Sequence, residues 1–252
     1  MYDIRTRQHA LALVNQGRSL NSVSKQTGIS RAALRAWQAR IEPLLRTTNC
    51  SMCDSDPRPP QDHAAYSYLL GLYLGDGCLS AGQRGVFALR IACADAWPGL
   101  INSCREAMQH IRPESRVWIV QKQGCVMVTS TSKHWPCLFP QHGPGKKHER
   151  VIALEPWQKR LVGAHPWELL RGLIHSDGCR VTNWTTRVIN GATKRYEYPR
   201  YFFTNKSADI RQIYTDTLDT VGVEWKQPNA FNISVARKAS VALMDAHIGP
   251  KY

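Results

Sequence analysis

Tyr68-Leu69-Leu70-Gly71-Leu72-Tyr73-Leu74-Gly75-Asp76-Gly77 governs the reading of this chain, because the run returns as Leu169-Leu170-Arg171-Gly172-Leu173-Ile174-His175-Ser176-Asp177-Gly178. The first copy is apolar almost all round, the pattern of a helix buried on every side. Gly71 and Gly75 lie four residues apart and remove the side chains that would keep a second helix at a distance; Gly172 and Ser176 do the same in the second copy. Each helix therefore has the other as its natural partner. Their pairing predicts Asp76 and Asp177 side by side at two C-terminal helix ends.

That is a poor place for a carboxylate. A helix C-terminus carries partial negative charge, and two like charges disfavour each other's ionised form. A divalent cation reverses the sign of both effects. Gly77 and Gly178 suit the left-handed cap that ends many helices, which would free backbone carbonyls as further oxygen ligands. An Asp-Gly helix end is commonplace singly, so its weight here comes from the duplication.

The order of elements after each aspartate repeats as well. Strand-like stretches at Val86–Cys93 and Tyr198–Thr204 are followed by helical patterns at Trp97–Ile111 and Ser207–Val221. Paired short strands then turn about Gln123-Gly124 (Val117–Thr129) and Pro228-Asn229 (Glu224–Val235). Each copy closes on a similar run, His142-Gly-Pro-Gly-Lys146 and His247-Ile-Gly-Pro-Lys251. Two α/β units of one build are fused, giving an α+β fold class.

From about Tyr66 to Tyr252 the chain resembles the LAGLIDADG homing endonucleases in their single-chain, two-repeat form. The stretch Gly143-Pro-Gly-Lys-Lys147 through Glu155-Pro-Trp157 to the second motif is similar to intein-type members. The resemblance implies a pseudo-two-fold pair of αββαββα repeats whose antiparallel strands saddle the DNA major groove. It implies that Asp76 and Asp177 bind Mg2+ and that a lysine after each repeat, Lys146 and Lys251, supports catalysis. Lys147 is not separable from Lys146 by sequence. The sixth motif position, acidic in the name-giving consensus, is Leu74 in one copy and His175 in the other, a departure that weakens the inference of activity.

Phosphodiester hydrolysis needs an activated water, a cation against the developing charge and help for the departing oxygen, all within reach of such a site. The DNA surface would come from the strands: Arg84, Arg90, Gln121, Lys122 and Gln123 in the first repeat, and Arg187, Lys194, Arg195, Arg200 and Lys226 in the second. Arginine and glutamine can read base edges, whereas lysines mostly hold phosphates.

Ahead of the repeats lies a small basic module. Residues 1–48 hold eight Lys/Arg against two Asp/Glu. Ala10, Leu11, Leu13 and Val14 share one side of a first helix that Gly17 ends; Ser19 or Asn21 can cap a second; Gly28-Ile29 turns; and Ser30 caps a third with Leu34 and Trp37 inward. The outward residues Arg31, Arg35, Gln38 and Arg40 suit a recognition helix. Over about 35 residues this resembles the helix-turn-helix of transposases and resolvases. The expected division is a helix-turn-helix domain at 1–45, a proline-bearing linker at 46–64, and LAGLIDADG repeats at 65–160 and 161–252. Cys50 and Cys53 have metal-ligand spacing, but no second Cys-x-x-Cys completes a structural zinc site, and two thiols in a linker is the preferred reading.

Composition agrees. In 252 residues, 33 Lys+Arg against 19 Asp+Glu give a net charge of +14, which calls for a polyanionic partner, double-stranded DNA first. Membrane-spanning and secretory segments are absent from the pattern, and eight scattered cysteines suit a reducing compartment, so a cytoplasmic, nucleoid-associated monomer with internal pseudo-symmetry is expected. Met1 and the closing Pro-Lys-Tyr lack intein splice residues, so a free-standing protein is expected. The leading functional reading is a magnesium-dependent DNA endonuclease. Its rivals are a non-cleaving transcriptional regulator, as in sporulation regulators that join a degenerate LAGLIDADG domain to a helix-turn-helix, and an RNA-binding maturase.

Overall fold

A computed structural model of the chain describes residues 4–39, 41, 60–249 and 251–252. The chain divides into two units, Met1–Ser51 and Met52–Tyr252. Arg40, Cys50, Cys53 and most of the expected linker lie outside the described residues.

In the first unit, α1 (Ile4–Asn15), α2 (Leu20–Thr27) and α3 (Arg31–Ala39) close over Ala10, Leu13, Val23, Ile29, Leu34 and Trp37. Ser19, not Asn21, caps α2 by accepting from the Ser22 amide. Gly28 turns the chain at φ +68, a left-handed conformation that glycine adopts without steric penalty. Ser30 Oγ accepts from the Ala33 amide at the start of α3. Arg7 is buried, with its guanidinium over the Trp37 ring.

The second unit opens with α4 (His63–Asp76), capped by Asp62, whose carboxylate accepts from the Ala65 amide. It continues through β1 (Gly77–Ala81), β2 (Phe87–Ala94), α5 (Pro98–Ile111), β3 (Val117–Lys122), β4 (Cys125–Ser132) and the short α6 (Trp135–Leu138). The antiparallel sheet runs β1-β2-β4-β3. Alternation sets its faces: Leu89, Ile91 and Cys93 of β2 and Val126 and Val128 of β4 point inward. There they meet Leu100, Cys104, Met108 and Ile111, spaced along one face of α5.

The connecting α7 (Pro156–Ala164) was not expected from the pattern; Glu155 and Gln158 form a capping box at its start. The second repeat then follows as α8 (Pro166–Asp177), β5 (Gly178–Ile189), β6 (Ala192–Thr204), α9 (Ala208–Thr220), β7 (Asn232–Val235) and α10 (Lys238–His247). Its sheet runs β5-β6-β7, with Tyr201, Phe203, Ile233 and Val235 against Ile210, Tyr214 and Leu218 of α9. The first half runs αββαββα, and the second follows the same order with its third strand reduced to a bridge, so the unit is a pseudo-two-fold pair of α+β repeats preceded by a small all-α unit.

The strand-like stretches at Val86–Cys93 and Tyr198–Thr204 are strands, β2 and the end of β6, but two local expectations need correcting. Each repeat has an additional strand before the expected one, β1 and β5, which begins directly at the glycine after the aspartate. The β5–β6 hairpin is correspondingly long, turning at Asn190-Gly191, both at positive φ. In the second repeat the expected strand over 224–227 shrinks to a single bridge, Lys226 to Ser234.

Candidate metal and DNA-cleavage site

The site is built where α4 and α8 meet. Gly71 faces Gly172: a Cβ on Gly71 would lie 2.6 Å from the Leu169 carbonyl and 2.7 Å from the Leu173 nitrogen, and one on Gly172 would strike the Tyr68 carbonyl. One step along, Gly75 faces Ser176, and its missing Cβ leaves room for an Asp177 carboxylate oxygen 3.1 Å away. The small-residue pairs thus let the two backbones touch, and the helices end together.

Neither helix ends in a left-handed cap. Gly77 has φ −90 and Gly178 φ −111, extended backbone that runs straight into β1 and β5. Glycine is required there for space: a Cβ would lie 2.5 Å from Tyr73 Cα in the first copy and 2.7 Å from Ile174 Cα in the second. Nor are the helix-end carbonyls free. Lys147 Nζ donates to the carbonyls of Tyr73 (2.5 Å), Leu74 (3.0 Å) and Gly75 (2.7 Å), neutralising the negative end of α4.

Lys147, not Lys146, is the lysine brought to the aspartates. The Lys146 ammonium is exposed and paired with Glu149 at 3.3 Å, because Gly145 and the 3-10 turn at Lys147–Glu149 rotate successive side chains to opposite sides. In the second repeat Lys251 Nζ donates to the Gly178 carbonyl at 2.6 Å.

Burial raises the Asp76 carboxyl above its usual range, opposed by the charges of Lys147 and Lys251. Asp76 nonetheless keeps an edge open to solvent. Burial, reinforced by the charge of Asp76, pushes Asp177 up to about 6. Burial also lowers Lys147 to about 8, against the pull of both aspartates, and lowers Lys251 in the same way. Two carboxylates and two ammonium groups therefore share one crowded centre.

Sequence reasoning missed Asn205, which donates to Asp177 Oδ2 at 2.6 Å and accepts from the Ser207 amide at 2.8 Å. A lone Asn after a strand gives no signal without the fold. At the sixth motif position, Leu74 is wholly buried. His175 Nδ1 lies 3.0 Å from the Tyr68 hydroxyl, and burial drives the ring down to about 4, so it is neutral.

Of the strand residues, Arg84, Gln121, Lys122, Gln123, Arg187, Lys194, Arg195 and Lys226 are exposed. Arg90 is half-buried and tied to Ser80 Oγ. Arg200 is half-buried against the Tyr198 and Phe202 rings. In the N-terminal unit Arg31, Arg35 and Gln38 are exposed on α3.

Hard oxygen donors fit a divalent cation. Among the described residues no cluster of three or more His, Cys, Asp and Glu could hold a metal. Magnesium, however, commonly takes one or two carboxylates and completes its shell with water and substrate phosphate. The raised carboxyls are the groups whose ionisation such an ion would favour.

No protein-family model matches the sequence, and no curated protein matches it. Solved structures do. I-DmoI in complex with DNA and Mn aligns with a TM-score of 0.50 at 14% identity, over 75% of this chain and 99% of that one. The meganuclease I-AabMI bound to uncleaved DNA gives 0.46 at 10% identity, over 72% and 82%. The N-terminal LAGLIDADG domain of DUF199/WhiA gives 0.44 at 12%, over 75% and 83%. With two repeats of like order joined through paired motif helices, the second unit has the LAGLIDADG fold. Both repeats lie in one chain. No helix among the described residues is long and apolar enough to cross a membrane.

Proposed function

We propose that this chain binds double-stranded DNA in a sequence-specific manner and cleaves it as a magnesium-dependent endonuclease. The observation that carries the reading is the convergence of Asp76, Asp177, Lys147 and Lys251 where α4 and α8 end. Asp76 and Asp177 would hold the ion, which when bound supplies charge neutralisation at the phosphate and a more acidic water. Asn205 orients the Asp177 carboxylate. Lys147 and Lys251 place positive charge beside the phosphate, where charge develops during cleavage. The crossed-helix core makes the internal pair self-sufficient, so the working form is a monomer.

The exposed strand cations would hold the duplex, and the domain divisions at 1–45, 46–64, 65–160 and 161–252 would assign it a second contact through α3. That contact also supports the alternative, a regulator that binds without cutting, because Arg31, Arg35 and Gln38 on α3 give a DNA-reading face independent of the aspartates.

Supercoiled plasmids carrying randomised inserts, incubated with Mg2+ and the protein, separate the two. We expect nicked and linear products, with Asp76→Asn and Asp177→Asn each slowing nicking by roughly 100-fold or more while retaining DNA affinity. Lys147→Met should cost more than Lys146→Met. Selective binding with no nicking by the wild type would sink the nuclease reading and leave the regulator.

A further inference from the structure

The proposed centre needs Lys251 in place, yet Lys251 lies on irregular chain beyond α10. On one side it is anchored by Ile248, which is buried and donates its amide to Met244. Beyond lies Gly249 at φ +73. The anchor on the other side is Tyr252, and it lies on the other repeat. The Tyr252 main-chain oxygen accepts from the amides of Gly99 (2.6 Å) and Leu100 (3.2 Å), in the first turn of α5. Those amides have no partner within their own helix. The Tyr252 ring lies across Gly99, where a Cβ would collide with it. Lys251 is thus slung between the two repeats, its Nζ on the Gly178 carbonyl.

The first repeat holds its lysine differently. The loop before Lys147 is stapled by Arg150, which donates to the carbonyls of Gln141, Pro144 and Gly145. Tyr252 adds little to the core: the residue is 68% exposed, so its contacts bury little.

We propose that Tyr252 is a positioning residue for Lys251, acting through a latch on the first turn of α5 for which Gly99 supplies the space. The inference rests on the role given to Lys251 above. It assigns to the first repeat a part in assembling the second repeat's lysine.

Two readouts test it. In metal-free protein, the rate at which Lys251 is acylated by acetic anhydride is followed by peptide mass spectrometry. Removal of Tyr252, or Gly99→Ala, which displaces the ring without altering Lys251, should raise that rate several-fold. Labelling at Lys147 and the melting temperature should stay as in the wild type. Tyr252→Phe, which keeps the ring and the main-chain oxygen, should keep wild-type labelling. Nicking should fall about tenfold or more in the first two variants at unchanged DNA affinity, and should not fall further when either is combined with Lys251→Met. Wild-type Lys251 labelling in both latch variants would overturn the inference. Raised labelling with undiminished nicking would leave the latch standing and instead remove Lys251 from the proposed chemistry.

Discussion

The two repeats share one element order yet differ in how strictly they keep it. At the helix pair they match closely, Gly71 against Gly172 and Gly75 against Ser176, because backbones in contact tolerate no added atom. Away from it they diverge. β1 and β2 span 5 and 8 residues, whereas β5 and β6 span 12 and 13. β3 is a full strand of 6 residues; its counterpart is one bridge at Lys226. Asn205 follows β6 and donates to Asp177, whereas the residue after β2 is Asp95, which is exposed. Duplication has been held fixed where packing leaves one solution and released where solvent or a ligand receives the side chains.

The sharpest break of that pattern is a side chain at the helix contact. Gly172→Leu should destabilise the second unit by more than about 4 kcal/mol, since the new Cβ meets the Tyr68 carbonyl and neither helix can retreat without opening the core. Gly163→Ala, at a site with nothing within 4 Å, should be neutral or stabilising by up to about 1 kcal/mol. Urea denaturation of the two variants checks both. Equal midpoints would mean that the helix contact is not the tight element described.

The same contrast explains what could be read before the fold was known. The motif helices, their small-residue faces and the paired aspartates were legible because burial on all sides and close approach leave a narrow choice of residues at fixed spacing. The three helices of the first unit were legible through Ser19, Gly28 and Ser30, residues whose local chemistry sets helix ends. The hidden parts depend on registers that pattern does not encode. β5 is exposed over most of its length, so it lacks the alternation that marks a half-buried strand. Lys146 and Lys147 are adjacent and chemically alike, and only the backbone turn after Gly145 distinguishes them. Asn205 reaches Asp177 across 28 residues.

The long hairpin offers the second test. β5 exceeds β1 by seven residues, roughly 24 Å at about 3.4 Å per residue. The outer part carries Arg187, Lys194 and Arg195, with Arg195 over the exposed Trp184 ring. If the strands hold DNA, the protected footprint should extend several base pairs further on the side of the second repeat. Replacing residues 184–197 by an Asn-Gly turn between the paired Asn183 and Tyr198 should remove that extension, weaken binding by about tenfold to 100-fold, and lower the salt dependence by about two ion equivalents. A footprint that stays unequal after the replacement would show that the hairpin does not create the asymmetry.

The smallest expected effect concerns the aspartates themselves. Of the two, Asp177 carries the charge of its neighbour as well as its own burial, and its carboxyl rises to about 6 from an ordinary 3.8. A carboxyl raised on folding binds its proton more tightly in the folded state. This group's contribution to stability is therefore fully present below about pH 4, is lost between about 4 and 6, and stays lost above that. The shift corresponds to about 2 kcal/mol after allowance for partial solvent access. Asp177→Asn should then leave the metal-free melting temperature little changed at pH 4 and raise it by several degrees at pH 7. Asp76→Asn should do less through its own site, but should also lower the strain on Asp177. Adding Mg2+ at pH 7 should raise the wild-type melting temperature and narrow its gap to Asp177→Asn, because the cation offsets the repulsion that the substitution removes. A wild-type melting temperature that does not respond to Mg2+ while the asparagine variant still gains stability would identify the crowded carboxylates as a fixed strain in the helix pair, unconnected with cation binding.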